Sequence, residues 1–299
     1  MTAGAPASPV VVGVDGTATT PLAVAWAADY CGTNATPLRL VAAYREDPFH
    51  AELQETGAPE DSTDSYRLHA AKRDLDEAAA YARALEPTLP LETVAIPGPA
   101  ASILLEEALR AAMVVVGSRR LGRMHRVFSA STGAATAERA DCPVVVVREG
   151  PSHTLPGTRV VVGVDGPACR RAAEFAFSEA RRTGSGVTAV HAWHLNTADL
   201  GSLVSPDAER KEMQARGHQI LAEVLGPLSA VFAEVDVRRF VVEGTAAEQL
   251  EKMSMNARLL VVGSRKLSPL SALVLGSVSR RVISRAHCPV AVLASGSLP

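Results

Sequence analysis

The chain lacks three features that assign many proteins to a class: a cysteine framework, a long apolar run and a strong net charge. Its four cysteines include no C-x-x-C pair, which argues against a disulfide scaffold and against a zinc site. No apolar run approaches the roughly 18 residues of a membrane-spanning helix, and the first residues lack the basic and apolar regions of a signal peptide. The formal net charge of -2 gives no bulk attraction to nucleic acid or to an anionic membrane. We therefore expect a cytoplasmic protein that has neither nucleic acid nor a membrane as a partner.

Signatures of nucleotide chemistry and of nucleophilic catalysis are absent as well. The sequence has no Gly-x-x-x-x-Gly-Lys-Ser/Thr loop, no Gly-x-Ser-x-Gly elbow, and no His-x-x-His or Ser-Gly-Gly pattern after its first strand. His191 and His194 lie at the end of a predicted strand, and no carboxylate or cysteine nearby completes a metal-ligand set. We expect no catalytic residue, no metal ligand and no enzyme activity beyond slow ATP hydrolysis at most.

Two of the cysteines, Cys142 and Cys288, each stand directly before a proline and an apolar segment. A small buried thiol at the entrance of a strand accounts for this placement. A redox sensor is the alternative. It is favoured only at Cys288, where the neighbouring His287 is a basic group that would lower the pKa of the thiol.

What the chain does contain is an internal duplication. The segment Val10-Val-Val-Gly-Val-Asp-Gly16 returns unchanged at 160–166, and the segments at 114–120 and 142–146 return with small changes at 260–266 and 288–292. The offset moves only from 150 to 146 residues, so the copies differ by a small net deletion. A chain of 299 residues is long enough for two self-sufficient cores. Because Pro and Gly interrupt the segment 148–158, we predict one domain at 1–150 and a second at 151–299.

Each copy alternates apolar strands with helical segments. The predicted strands are 10–14, 38–43, 93–96, 113–116 and 144–147, then 160–164, 187–192, 239–242, 259–262 and 290–293, and the helices of the first copy are 21–30, 67–85, 101–111 and 131–139. Strands without polar alternation are buried on both faces, which favours an α/β class with two open parallel five-stranded sheets covered by helices on both faces. The acidic stretch 45–66 has little periodicity and is interpreted as a surface segment, with a mobile lid or a helical excursion as alternatives.

Candidate binding residues cluster where strands end. Open parallel sheets bind ligands at the carboxyl ends of their strands, at the point where successive connections change sides. Asp15 and Asp165 follow the first strand of each copy, where a carboxylate accepts hydrogen bonds from a base or a ribose, or caps the following turn. The glycines around them, at 13, 16, 163 and 166, would let the backbone approach a ligand closely.

A longer motif follows the fourth strand of each copy. The segments Gly117–Ser131 and Gly263–Ser277 each run from a strand end through a polar, basic loop to a Gly/Ser-led helix start. Exposed N–H groups, hydroxyl donors and the positive end of a helix dipole are what phosphate binding requires. The basic side chains that add positive charge are Arg119, Arg120, Arg123 and Arg126 in the first copy, and Arg265 and Lys266 in the second.

On these motifs the chain resembles a tandem universal stress protein, with two such domains over nearly its whole length. The resemblance implies a Rossmann-like sandwich of the adenine nucleotide alpha-hydrolase type, with ATP as the cofactor and Mg²⁺ as an optional companion. It assigns the adenine or ribose contact to the two strand-end aspartates, adenine packing to Ala43 and Ala192, and phosphate contacts to the longer motif. The residues expected to bind the nucleotide are Gly13, Asp15, Ala43, Gly117, Ser118, Ser131 and Thr132 in the first copy, and Gly163, Asp165, Ala192, Gly263, Ser264, Arg265, Gly276, Ser277, Val278 and Ser279 in the second.

The chain departs from the family pattern of Gly, two residues, Gly, nine residues, then Gly with Ser or Thr. Arg120 and Lys266 replace the middle glycine, and Ala130 replaces the last glycine of the first copy. A Cβ where φ must be positive costs about 1 kcal/mol or more, so we expect the second copy to bind better.

Two main functions remain open. One is a regulatory ATP-binding protein whose occupancy is sensed by an unidentified protein partner in a stress response. The other is a scaffold whose nucleotide sites have decayed and which acts by protein association alone. An ATP-dependent enzyme or electron carrier is a third, weaker reading. The last strand of each copy is expected at a sheet edge, which favours pairing of the copies as an intramolecular pseudo-dimer or a homodimer.

Overall fold

The computed structural model describes residues 7–45, 63–118, 132–148, 159–194, 206–264 and 275–294. The chain divides into two compact units, Met1–Glu149 and Gly150–Pro299. The elements of the first unit are β1 (Val10–Val14), α1 (Thr20–Asn34), β2 (Leu38–Tyr44), α2 (Thr63–Leu85), β3 (Leu91–Pro97), α3 (Ala100–Ala108), β4 (Met113–Ser118), α4 (Thr132–Arg139) and β5 (Val144–Arg148).

The described strands of the first unit form one parallel sheet in the order β3-β2-β1-β4-β5. Helices α1 and α2 pack together on one face, and α3 and α4 pack together on the other. The valines of β1, β4 and β5 are buried, as expected for strands covered on both faces. The connections change sides between β1 and β4, so the switch point of this sheet lies at the carboxyl ends of these two strands.

The second unit repeats this plan in its described residues. Its elements are β6 (Arg159–Gly163), α5 (Arg170–Arg182), β7 (Gly186–Trp193), α6 (Pro206–Val231), β8 (Val237–Glu243), α7 (Ala246–Met253), β9 (Ala257–Ser264), α8 (Ser277–Arg285) and β10 (Val290–Ala294), with 3-10 turns at Pro167–Cys169 and Ser254–Asn256. The sheet order is β10-β9-β6-β7-β8, again parallel throughout. Helices α5 and α6 pack together, as do α7 and α8. The predicted fold class is confirmed in both units.

The element ends differ from the sequence prediction by a few residues. Helix α1 begins one residue earlier than predicted and continues four residues further, until Ala35 adopts a left-handed conformation with φ of 50° and donates its N–H to the carbonyl of Cys31. Helix α2 begins at Thr63, four residues before the predicted start, so the end of the acidic stretch 45–66 is helical. The rest of that stretch lies outside the described residues.

The same type of glycine turn occurs once in each unit. Gly98 and Gly244 have φ of +131° and +129° and start the connections to α3 and α7. Each donates its N–H to the end of the neighbouring strand, to the carbonyl of Tyr44 and of Trp193 respectively. Residues that carry a side chain rarely adopt this backbone conformation, so glycine is required at both positions. The turn fixes where the following helix begins at the carboxyl ends of the strands in each sheet.

No helix within the described ranges is long and apolar enough to cross a membrane.

Candidate functional site

A cleft opens at the switch point of the first sheet, over the carboxyl ends of β1, β2 and β4. Including the open solvent space at its mouth, the cleft has a volume of about 480 Å³. Its lining residues are Gly13, Val14, Asp15, Val41, Ala43, Ala100, Ile103, Leu104, Val116, Gly117 and Thr132. Five of the seven residues expected to form the first site therefore line one cleft: Gly13, Asp15, Ala43, Gly117 and Thr132.

Most of the cleft wall is apolar. Val41 and Ala43 come from β2, and Ile103 and Leu104 come from the face of α3 that packs on the sheet. Such a wall suits a flat, weakly polar group such as a nucleobase. The motif analysis missed the contribution of α3, because its apolar residues follow the ordinary helical pattern of a core-facing helix. The signal that locates them is the Pro97-Gly98-Pro99 break, which sets the first turn of α3 beside the strand ends.

Asp15 is exposed and holds the turn between β1 and α1. Its Oδ1 accepts hydrogen bonds from the N–H of Thr17 at 3.1 Å, from the hydroxyl of Thr17 at 2.7 Å and from the hydroxyl of Thr20 at 2.9 Å. The turn-capping role considered for this residue is therefore present. Within the described part of the chain Oδ2 has no hydrogen-bond partner, so this oxygen remains available to a ligand.

Gly13 and Gly163 serve helix packing in both units. A Cβ on Gly13 would lie 3.1 Å from Cδ1 of Leu104, and a Cβ on Gly163 would lie 2.9 Å from Cδ1 of Leu250. The sequence reasoning placed these glycines for the close approach of a ligand. Their missing side chains also let a leucine of α3 or α7 pack against the sheet.

The floor of the cleft is closed by Gly117 at the end of β4. A Cβ at this position would lie 2.9 Å from the Cβ of Thr19, which is buried at the start of α1. Thr132 is the first residue of α4, and the buried Gly133 lets this helix pack closely on Val116 of β4, 2.8 Å from where its Cβ would stand. The N-terminus of α4 therefore lies at the cleft, where the positive end of its helix dipole favours an anion. Ser118 is half-buried at the end of β4, and Ser131 lies outside the described residues together with Arg119, Arg120 and Ala130.

In the second unit, two of the expected phosphate-binding hydroxyls bond to the backbone. Ser264 and Ser279 are both buried. The Ser264 hydroxyl donates to the carbonyl of Leu293 at 3.4 Å, and the Ser279 hydroxyl donates to the carbonyl of Gly263 at 3.1 Å. A phosphate oxygen only accepts hydrogen bonds, so either hydroxyl would have to exchange its present bond to reach one. The rule that a serine in a phosphate motif is a free donor does not hold for these two.

The helix start of the second motif is open. Gly276 precedes α8 with φ of -57° and no side-chain cap, and no described atom lies within 4 Å of where its Cβ would stand. Ser277 is exposed and Val278 is half-buried. Since the first N–H groups of a helix have no partner inside it, this end can accept an anion. Arg265 and Lys266 lie outside the described residues.

Asp165 and Ala192 occupy the strand ends that correspond to Asp15 and Ala43. Asp165 follows β6 and is exposed, and Ala192 is half-buried on β7. They take these positions because Gly163 pairs with Val190 in the same register in which Gly13 pairs with Val41.

The cysteines do not form a reactive site. Burial raises the pKa of Cys288 to about 12 and that of Cys142 to about 11. Burial also raises the pKa of Cys31 to about 12, and it raises that of Cys169. The expectation that the pKa of Cys288 is lowered is therefore wrong, since burial raises it. The described residues contain no group of three or more His, Cys, Asp or Glu side chains that could hold a metal ion.

Comparisons with known proteins agree with the duplicated fold. The sequence model of the universal stress protein family matches the chain twice, at residues 7–148 and 157–294. A universal stress protein of Mycolicibacterium smegmatis is 30% identical over 294 residues, covering 95% of this chain and 96% of that protein. A universal stress protein of Mycobacterium tuberculosis is 31% identical over 301 residues and covers 98% of both chains.

Among solved structures, a universal stress protein from Archaeoglobus fulgidus matches with a TM-score of 0.70 and 18% identity, covering 97% of this chain and 98% of that one. At this identity the structural match speaks for the fold. The two family matches and the two mycobacterial relatives establish family membership, and they confirm the resemblance found in the motifs. This chain belongs to the universal stress protein family.

Proposed function

We propose that this protein is a regulatory nucleotide-binding protein of the stress response that binds ATP at the strand ends of its units, with the second unit as the stronger site. The observation that carries the proposal is the cleft of the first unit, which joins an apolar wall, a carboxylate and a helix N-terminus at the switch point of the sheet. These three elements match the base, the ribose and the phosphates of a nucleotide in that order.

The nucleoside end of the proposed site lies between β2 and α3. Adenine would pack on Ala43 and Val41, with Ile103 on the opposite side. The free Oδ2 of Asp15 would accept a hydrogen bond from a ribose hydroxyl or from the base, since a carboxylate has acceptor sites on both oxygens. In the second unit Asp165 and Ala192 would take the same roles.

The phosphate end of the proposed site lies at the starts of α4 and α8. In the first unit Gly117, Ser118, Ser131 and Thr132 would face the phosphates, with Mg²⁺ as an optional companion. In the second unit the backbone around Gly276, Ser277 and Val278 would do so, beside the Gly263 strand end. The preference for the second unit rests on Gly276, which leaves open space at a position where the first copy has Ala130.

The proposed output is binding rather than turnover. Asp15 is the one charged residue among the described residues that line the cleft, and its free Oδ2 is the oxygen proposed to bind the nucleoside rather than the phosphate end. A general base needs a proton acceptor within reach of the attacking water. Occupancy would therefore act by changing the conformation or association of the protein.

The test is calorimetric titration with ATP and Mg²⁺, after mass spectrometry of small molecules that copurify without added nucleotide. Ala43→Ile is expected to remove binding in the first unit, and Ala192→Ile binding in the second, because each fills the adenine position while keeping a strand-compatible side chain. Each variant is the control for the other.

A second variant tests the phosphate end. Gly276 has an ordinary φ and open space around it, so Gly276→Val should not strain the backbone and should still weaken ATP binding at the second site at least tenfold. Gly276→Ser is the matched control with a smaller side chain and a good helix-capping group. Unchanged binding in Gly276→Val would show that the phosphates lie elsewhere.

The alternative function is a scaffold with decayed sites, and it is favoured by the replacement of glycine at Arg120, Lys266 and Ala130. No heat at millimolar ATP, together with no copurified nucleotide, would favour the scaffold over the regulatory site.

A further inference from the structure

Helix α6 contains a buried glycine, Gly217, in its interior. Glycine in a helix interior costs about 1 kcal/mol relative to alanine, so its presence calls for a packing reason. A Cβ on Gly217 would lie 2.5 Å from Cγ1 of Val241 and 2.8 Å from Cδ2 of His191. The side chains of Val241 and His191 therefore both occupy space that a side chain at position 217 would need.

His191 holds the end of the neighbouring strand. Its Nδ1 lies 2.9 Å from the carbonyl oxygen of Val164, and because a carbonyl can only accept, Nδ1 carries the proton and donates it. The N–H of Val164 donates to the carbonyl of Val190 at 2.9 Å. Both backbone groups of Val164 are thus held by β7, one by the backbone and one by the imidazole.

The residue after Val164 is Asp165, the carboxylate proposed to contact the nucleotide. An N–H donor that fixes the carbonyl of Val164 restricts the peptide that leads into Asp165. Ala192, proposed to pack on the adenine, is the residue directly after His191 on β7. The imidazole therefore lies next to both proposed nucleoside contacts without being one of them.

In the first unit, the strand end before Asp15 is held without a histidine. Ala42 is its counterpart of His191, since Val41 and Val190 pair with the corresponding glycines of β1 and β6. There the parallel ladder continues one step further, to the pair of Val14 with Ala42, whereas β6 ends at Gly163. Ala71 of α2 stands where α6 has Gly217, because the buried leucines at 75 and 221 each follow four residues later.

We propose that His191 is a positioning residue for the nucleotide site of the second unit. Its Nδ1–H fixes the carbonyl of Val164, and thereby the direction of Asp165, and Gly217 leaves the space that keeps the ring in place. This inference rests on the proposed function for its effect on ATP, and on the hydrogen bond alone for its effect on the turn.

The test compares amide replacements of the ring, measured in the Ala43→Ile background so that only the second site contributes heat. The amide nitrogen of His191→Asn lies near the position of Nδ1 and can still donate to Val164, while that of His191→Gln lies near the position of Nε2 and cannot. We expect His191→Gln to weaken ATP binding about tenfold and His191→Asn to stay within about threefold of the parent. Gly217→Ala should displace the unaltered ring and weaken binding as His191→Gln does.

A readout without nucleotide separates this inference from the proposed function. Hydrogen exchange of the backbone amides at 163–170 in ligand-free protein should be faster in His191→Gln and in Gly217→Ala, and unchanged in His191→Asn. If His191 only filled space, hydrogen exchange would change by the same amount in His191→Asn and His191→Gln.

If the parent binds ATP and His191→Gln binds it equally well, the positioning role is overturned. If the parent binds no ATP, the proposed function fails and exchange decides alone, with equal exchange in the Asn and Gln variants overturning the inference. Should His191→Gln fail to fold, Gly217→Ala carries the same comparison.

Discussion

The same seven residues form the first strand of each unit and lead into the following turn, yet the two turns differ in conformation. In the first unit Gly16 has φ of +65° and Asp15 accepts three hydrogen bonds from Thr17 and Thr20. In the second unit Gly166 is extended, with φ of 165°, and Pro167 begins a 3-10 turn. The residue after the shared segment decides the outcome, since threonine supplies donors to the aspartate and proline, without an N–H, supplies none.

The helices that follow these turns, α1 and α5, differ in the size of the side chains that they bury. Helix α5 buries Phe177, whose ring centroid lies 5.5 Å from that of Phe232, and Arg181 covers Phe232 at 4.6 Å. The matching turn of α1 buries two alanines, Ala27 and Ala28. A duplicated core can therefore change the volume of single positions as long as the neighbouring helix changes with it.

The largest expected effect concerns this difference in volume. Phe177→Ala should lower the free energy of unfolding of the second unit by about 3–5 kcal/mol, because it removes a fully buried ring and leaves a cavity against Phe232. Phe175→Ala, at a half-buried position of the same helix, is the control and should cost clearly less. Urea denaturation of both variants measures the difference, and equal losses would mean that the ring pair contributes nothing special.

The next effect concerns the two turn glycines. Gly16→Ala should cost about 2 kcal/mol, because it combines a left-handed φ with a Cβ that would stand 2.7 Å from Cγ of Asp74. Gly166→Ala should be nearly neutral, since its φ suits any residue and its Cβ would meet no atom within 4 Å. Thermal or urea unfolding of the pair tests the comparison, which fails if the two substitutions cost the same.

A smaller effect is expected at Asp15. Asp15→Ala removes three accepted hydrogen bonds at an exposed site and should cost about 1 kcal/mol. Asp15→Asn keeps an acceptor oxygen and should cost less, while it removes the charge offered to a ligand. Unfolding of the two variants isolates the capping role, and a titration of Asp15→Asn with ATP reports the binding role.

The smallest difference concerns the two equivalent cysteines. Alkylation requires an accessible thiolate, and because Cys288 is buried whereas Cys142 is half-buried, we expect slower labelling at Cys288. Peptide mass spectrometry after iodoacetamide treatment of native protein at pH 8 measures both rates. Faster labelling at Cys288 than at Cys142 would mean that its strand entrance opens to solvent.

The fold was predictable from the sequence because buried parallel strands have a distinctive apolar pattern. Runs such as Val10–Val12 and Val144–Val147 predict two-sided burial wherever they occur, and the repeat doubles the evidence. Element ends were less accurate, because they depend on turns such as the left-handed Ala35 that no apolar pattern marks. The same holds for α2, which extends beyond its apolar stripe.

The candidate site was predictable to the extent that it lies at strand ends. Asp15, Ala43, Gly117 and Thr132 come together because parallel strands deliver their carboxyl ends to one edge. The directions of the Ser264 and Ser279 hydroxyls, and the contribution of Ile103 and Leu104, were not predictable. They depend on which carbonyl or helix face lies opposite, and this is settled by packing between elements distant in sequence.

The amino-acid sequence by itself determined the duplication, the parallel sheets and the family, because these follow from local patterns of apolar, glycine and aspartate residues. Only the tertiary structure decided that Gly13 makes room for Leu104, that Gly217 makes room for His191, and that one carboxylate oxygen of Asp15 is already bonded. The two glycine contacts depend on distances of about 3 Å between residues far apart in the chain, where a single methyl group decides what fits. The bonds of Asp15 depend on how the local turn to Thr17 and Thr20 folds.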